Sequence, residues 1–235
     1  MAAKYREVFS AIEKDILDGR YNVTRKLLTE DAYIAEYKVS RNTIRNAIDL
    51  LVKRGYCFPI QGSGVFLRRT KPAYSLNLEN IYGLTYYMAP LPVTSRLLHF
   101  DTVEADEDLA SKMDIPVGSP LLYVVRVRHV DHKPYVYEYN YFNLLLLPEL
   151  DEETARSSIF TYINRHESLQ ISFIDTVLSV VKINAEEAEK LELVENDPGL
   201  KIEAFVMIRT GEVIQLSTGV FHYENARALK MATYI

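Results

Sequence analysis

Two groups of side chains have the types and spacing to do chemistry. The first is Ser40-Arg41-Asn42-Thr43-Ile44-Arg45. If this stretch opens a helix, Arg41 and Arg45 lie four apart on one face, with Asn42 and Thr43 beside them and Ile44, Ala47, Ile48 and Leu51 opposite. Arginine can hold guanine O6 and N7 with two hydrogen bonds, and asparagine can do the same to adenine N6 and N7. Thr43 and the free amides of a helix start suit phosphate oxygens. The second group is Arg126, Arg128 and Glu138, on two stretches with strand character. Two cations on a partly apolar strand face require a carboxylate partner or an anionic ligand. That leaves two readings open, a structural Arg126–Glu138 pair or an anion pocket.

Other chemistries find less support. The five histidines (His99, His129, His132, His166, His222) form no metal-ligand spacing, and the single Cys57 excludes an internal disulfide and a multi-cysteine metal site. Glycine-rich phosphate loops and nucleophile elbows are absent, so no cofactor and no metal is expected. No apolar run approaches the roughly 18 residues of a membrane span, and the N-terminus lacks a signal peptide's hydrophobic stretch, so a cytoplasmic protein with no membrane partner is expected.

The elements that must position these side chains follow from periodicity and caps. Residues 5–17 carry Tyr5, Val8, Phe9, Ile12 and Ile16 at helical spacing, with Gly19 as a stop. Thr29 can cap a short second helix over residues 32–35, and Ser40 can cap a third that ends at Gly55. The connection between the second and third is only Tyr37-Lys38-Val39, the length of a helix-turn-helix corner. Residues 56–60 and 65–68 then read as short strands about Gln61-Gly62-Ser63-Gly64, and Pro59 confines that hairpin to a short or edge position. Three helices and a hairpin make a winged helix-turn-helix. Residues 71–89 show no clear period and read as linker, which assigns residues 1–70 to one domain and 90–235 to another.

Beyond residue 90, strands are expected at 95–103, 120–130, 134–142, 170–183, 199–209 and 213–222. Short helices are expected at 106–113, 157–165 and 185–193. Strands joined mostly by hairpins imply an antiparallel sheet with helices packed on it, so the chain as a whole is α+β. Hairpin register decides whether the second group converges. A three-residue loop at Asp131–Lys133 sets Arg126 directly opposite Glu138, whereas a two-residue loop leaves the pair diagonal at best.

Charge divides along the same boundary. Residues 1–70 hold thirteen Lys/Arg against eight Asp/Glu, a formal +5, and the rest hold 14 against 24, a formal −10. A basic head on an acidic body implies that only the head approaches a polyanion such as duplex DNA.

The head resembles the DNA-binding domain of the gluconate-repressor (GntR) family. The matching pieces are Leu27-Leu28-Thr29-Glu30, Val39-Ser40-Arg41-Asn42-Thr43-Ile44-Arg45, Gly55 and Gly62-Ser63-Gly64. The resemblance implies DNA contacts from Thr29, Arg41, Asn42, Thr43, Arg45, Gln61 and Gly62. One departure is Asp31, where the family carries an arginine; Arg25 and Lys26, just upstream, are the cations placed to offset it.

The body resembles the effector-binding domain, often called UTRA, of the histidine-utilisation (HutC-type) branch, whose fold is chorismate-lyase-like. The carrying residues are Thr94-Ser95-Arg96, Gly118-Ser119-Pro120, Arg126-Val127-Arg128, Pro134, Glu138 and Asn184-Ala185-Glu186-Glu187-Ala188. The resemblance implies an effector pocket with Ser95, Arg96, Arg126, Arg128, Glu138, Ser157, Ser158 and Gln215, the last replacing the family's glutamate. The expected function is a DNA-binding transcription regulator, a repressor and homodimer, released from its operator by a phosphorylated sugar or other small anion. Two alternatives are a chorismate-lyase-like enzyme and a DNA-binding protein that ignores metabolites. The first would turn over chorismate, and the second would hold its operator whatever metabolite is present.

Overall fold

The computed structural model describes residues 4–68, 75–78, 83–165, 169 and 171–230. The chain divides into two compact units, with Tyr74–Leu229 forming the second. Within the stretch expected to be linker, residues 71–74 and 79–82 lie outside the described residues, as do His166 and the last five positions.

The first unit is three helices and a hairpin. Helix α1 (Lys4–Leu17) buries Val8, Phe9, Ile12 and Ile16. Helix α2 (Glu30–Tyr37) starts at Thr29, whose hydroxyl accepts from the Ala32 amide, and ends at Lys38 in a left-handed conformation with φ 52°. Val39 follows, and Ser40 accepts from the Thr43 amide to start α3 (Arg41–Lys53). Each side-chain cap satisfies an amide that the first turn cannot pair, which is why these residues set the boundaries. Ile44, Ala47, Ile48 and Leu51 of α3 join Ile12, Tyr33 and Leu67 in one core. Strands β1 (Cys57–Ile60) and β2 (Gly64–Leu67) pair antiparallel, with Cys57 opposite Leu67 and Ile60 opposite Gly64. Gly62, at the turn, has φ 73°.

The second unit is built on a six-stranded sheet. In chain order its strands are β4 (Val93–Glu104), β5 (Pro120–Val130), β6 (Lys133–Asn143), β7 (Ile171–Lys182), β8 (Pro198–Ile208) and β9 (Val213–His222). They pair antiparallel in the spatial order β4-β5-β6-β9-β8-β7. This is the expected α+β organisation.

The two sheet faces carry different helices. On one face Leu122, Val124, Phe142 and Val206 pack with Ala155 of α6 (Glu152–Arg156) and Ile159 and Ile163 of α7 (Ile159–Arg165). The far end of that face packs Val136 and Phe221 against Leu84 and Met88 of α4 (Leu84–Met88). On the other face α5 (Glu107–Met113) and α8 (Ala185–Leu191) bury Met113 and Leu191. Helix α4 falls within the stretch expected to be linker. Leu84 and Met88, four apart, are both buried in the second unit, so packing holds this segment helical where its five residues are too few to show a period. A two-residue parallel pair, Leu76–Asn77 (β3) with Ala228–Leu229 (β10), also went unread in the sequence.

Candidate functional sites

The first site is the start of α3. Arg41 and Arg45 are more than half exposed, on the side of the helix opposite its buried residues. Both guanidiniums are engaged by α2. Arg41 Nη2 donates to Asp31 Oδ1 at 2.6 Å and Nη1 to Glu30 Oε2 at 3.5 Å. Arg45 Nε donates to both Glu30 oxygens, at 2.9 and 3.1 Å, and this bond raises the Arg45 pKa. Asn42 is exposed, and the Thr43 hydroxyl is 2.8 Å from that of Ser40. Gln61 and Gly62 are exposed at the hairpin turn. A Cβ on Gly62 would touch nothing within 4 Å, so only its positive φ calls for glycine there. Thr29 is spent as a cap. Arg25, expected to offset Asp31, instead donates to the Leu67 carbonyl at 2.7 Å, and the Lys26 ammonium sits 5.6 Å over the Phe66 ring.

The carboxylates of Glu30 and Asp31 are what sequence reasoning missed as partners. Acids in the first turn of α2 had a local explanation in the helix dipole. Their bonds to the next helix depend on tertiary packing. The arrangement presents two arginines and an amide side by side on an exposed helix face, with two acids bound to the arginines.

The second site is a cavity of about 150 Å³ within the second unit, over the face that α4 and α7 flank. Its walls are largely apolar, with Leu84, Ile159, Phe160, Ile174 and Phe221 among them. Register explains what reaches it. Arg126, Glu138, Gly219 and Ile202 form one row across the sheet; Val124, Asn140, Ser217, Ala204 and Thr176 form the next; Phe142, Gln215 and Val206 belong to a third. The turn between β5 and β6 is two residues long, Asp131 and His132, both with positive φ. A bulge at Tyr135 then shifts the register, so Arg126 faces Glu138 even though the loop has two residues.

The two arginines have different surroundings. Arg126 Nε donates to Glu138 Oε2 at 2.7 Å, and Nη1 donates to the Ala155 and Ser157 carbonyls at 2.6 and 3.3 Å. Its guanidinium thus ties β5 to β6 and to the end of α6. Arg128 is 4% exposed, donates through Nη2 to Thr85 Oγ1 at 2.9 Å, and leaves Nε without a partner. Among the described residues no carboxylate forms an ion pair with it. Burial, with Arg126 nearby, lowers its pKa to about 10, still charged at neutral pH. Burial pushes the Glu138 carboxyl up, but the charges of Arg126 and Arg128 and the hydrogen bond from Arg126 outweigh it and hold the pKa below the usual carboxylate range.

Of the expected pocket residues, Arg126, Arg128, Glu138, Ser158 and Gln215 line the cavity. Ser95 pairs with Arg128 on β4 but does not line it, and Arg96, one residue on, lies on the opposite face and is exposed. Ser157 contributes its carbonyl to Arg126, while its hydroxyl donates to the Thr154 carbonyl. Sequence reasoning missed Thr85, which sits on the unforeseen α4, and Asn140, Thr176 and Ser217, which the register brings to the same face.

Comparison with known proteins gives each half of the chain a family match. Residues 4–67 match the family of bacterial regulatory proteins called gntR, and residues 90–227 match the UTRA domain. An HTH-type transcriptional regulator of Bacillus subtilis, YydK, is 29% identical over 97% of each chain. The HTH-type transcriptional repressor NagR of Bacillus subtilis is 26% identical over 92% of this chain and 89% of its own. The Escherichia coli repressor MngR, of the mannosyl-D-glycerate transport/metabolism system, is 25% identical over 94% and 92%. The crystal structure of YydK superposes with a TM-score of 0.81 at 28% identity, covering 98% of this chain and 99% of that one.

Proposed function

Because the chain belongs to the GntR family of transcription regulators, in its UTRA-bearing branch, we propose that it is a repressor whose hold on operator DNA is set by a small anionic metabolite, a phosphorylated sugar before other anions. The observation that carries this reading is Arg128: a buried cation in a largely apolar cavity, with no carboxylate bound to it among the described residues and one nitrogen unpartnered. Such a charge is costly unless an anion completes it. On the DNA side, Arg41 and Asn42 read base edges, while Arg45, Thr43, Gln61 and Gly62 meet the sugar–phosphate backbone. The protein acts in the cytoplasm as a homodimer, and its two heads read half-sites about one DNA turn apart.

Control works by linkage. The effector binds better to a conformation that fits the operator poorly, and a coupling of about 1–3 kcal/mol corresponds to a 5- to 150-fold loss of operator affinity. Binding rather than turnover is the use of the cavity. Its carboxylate, Glu138, is held ionised by Arg126 and makes a poor general acid. Product formation from chorismate would contradict that.

The test is a thermal-shift screen of phosphorylated sugars, their unphosphorylated parents and organic acids. A ligand at 100 times its Kd stabilises by about 2.7 kcal/mol. Stabilisation by phosphorylated but not parent sugars, abolished in Arg128→Ala, is the expected result. Equal stabilisation of wild type and variant would refute the reading.

A further inference from the structure

Building on the cavity as the effector site, we infer that its end around Asn140 and Gln215 is made for an uncharged, hydroxyl-bearing ring, and that these two amides select such a ring over a second charged group. Asn140 and Gln215 are 2% and 4% exposed, and both line the cavity. They share one hydrogen bond, from Gln215 Nε2 to Asn140 Oδ1 at 2.9 Å. That bond leaves Asn140 Nδ2 and Gln215 Oε1 buried without partners. Reversing both amides only exchanges their roles: one N–H donor and one carbonyl acceptor remain free in either orientation.

A donor beside an acceptor is what a hydroxyl completes, since it can accept from one and donate to the other. Ser217 and Thr176 sit in the same row as Asn140 and also line the cavity, adding two hydroxyls and no charge. Of the charged lining residues, Arg128 lies two rows from Asn140, and Arg126 and Glu138, in the row beside it, are already committed to each other. A second carboxylate, phosphate or ammonium at the amide end would therefore be stripped of water with no uncommitted charge of opposite sign beside it. Size follows from the strand. Arg128 faces Val136, four residues from Asn140 along β6, about 14 Å of extended chain. Less the reach of the side chains, that span suits one pyranose ring with a single anionic substituent and is too short for an oligosaccharide.

The experiment titrates the full chain by calorimetry with inorganic phosphate, glucose 6-phosphate, mannose 6-phosphate, galactose 6-phosphate and glucosamine 6-phosphate. It then repeats the series on Gln215→Glu. In wild type at least one neutral hexose 6-phosphate is expected to bind 100-fold or more tighter than inorganic phosphate, and tighter than glucosamine 6-phosphate. The Gln215→Glu variant places a carboxylate beside Asn140, so it should lose at least tenfold for the neutral sugar and prefer the amino sugar. If inorganic phosphate and every hexose 6-phosphate bind alike, or wild type prefers the amino sugar, the amide selectivity is refuted while the anion site stands. If no phosphate compound binds wild type, both readings fall. Should the variant not fold, the wild-type ratios alone decide.

Discussion

Asp31 and Arg41, on consecutive helices of the first unit, meet at 2.6 Å, so the guanidinium that opens α3 already has a partner before DNA arrives. Glu30 does the same for Arg45 at 2.9 Å. An acid on the DNA-facing side either steadies the arginine in a base-reading pose or competes with phosphate for it. Both side chains of the Asp31–Arg41 pair are more than half exposed, so the bond itself contributes no more than about 1 kcal/mol to stability. Its effect belongs to binding. Replacing Asp31 with alanine should tighten operator binding severalfold at low salt and steepen the dependence of log K on log salt by about one charge. Fluorescence anisotropy across a potassium chloride series measures both; weaker binding would show that Asp31 positions Arg41.

Substitution of the arginines should separate charge from base reading. Arg45→Ala is expected to weaken all duplexes alike and to flatten the salt slope by about one. Arg41→Ala should also relax discrimination between the operator and single-base variants, by about 1–3 kcal/mol at one position. Competition binding with a set of mutated duplexes checks this.

In the cavity, the two arginines should fail in different ways. Arg126→Ala strands a partly buried Glu138 and removes two bonds to carbonyls at the end of α6, so the second unit should lose about 3–5 kcal/mol. Arg128→Ala removes a buried cation that has no carboxylate partner among the described residues, so the fold should hold while anion binding disappears. Urea unfolding and ligand titration of both variants test the division. Equal stability loss in the two would mean that Arg128 is structural as well.

The Glu138 carboxyl also predicts a pH dependence. Its folded-state pKa lies below the ordinary value of 4.5, so its stabilisation is complete above that value and is lost as pH falls through the folded pKa. Wild type should therefore be more stable than Glu138→Gln at pH 7, with the gap closing as pH falls below 4.5. A gap that is constant with pH would contradict the assignment.

Cys57 offers a reporter for the first unit. It is 2% exposed in the core, and burial pushes its thiol pKa up to about 12. Native protein at pH 8 should resist maleimide, and the reaction should proceed only as this unit opens. Prompt stoichiometric labelling would contradict the packing of β1 against α3.

What could be read from the sequence was what local chemistry determines. Thr29 and Ser40 each act as helix caps, because capping involves only the next three residues. Strand β5 runs from Pro120 to Val130, as its residues suggest. Features that depend on distant residues were hidden. The bulge at Tyr135 that lets a two-residue turn still place Arg126 opposite Glu138 has no local signature. Nor could α4, and with it Thr85 against Arg128, be foreseen from five residues held helical by burial. Arg96 shows how one residue matters on a strand: next to Ser95, it points to the other face.

In the proposed mechanism, anion binding at Arg128 loosens the grip of Arg41 and Arg45 on DNA. Its most direct test selects an operator from a random duplex pool. The Kd of wild type and Arg128→Ala for that operator is then measured with and without the phosphorylated sugar that stabilises the protein. The expected result is a 5- to 150-fold rise in Kd for wild type and none for Arg128→Ala, with equal affinities in the absence of sugar. An operator Kd that the sugar leaves unchanged in wild type, or changes equally in the variant, would contradict it.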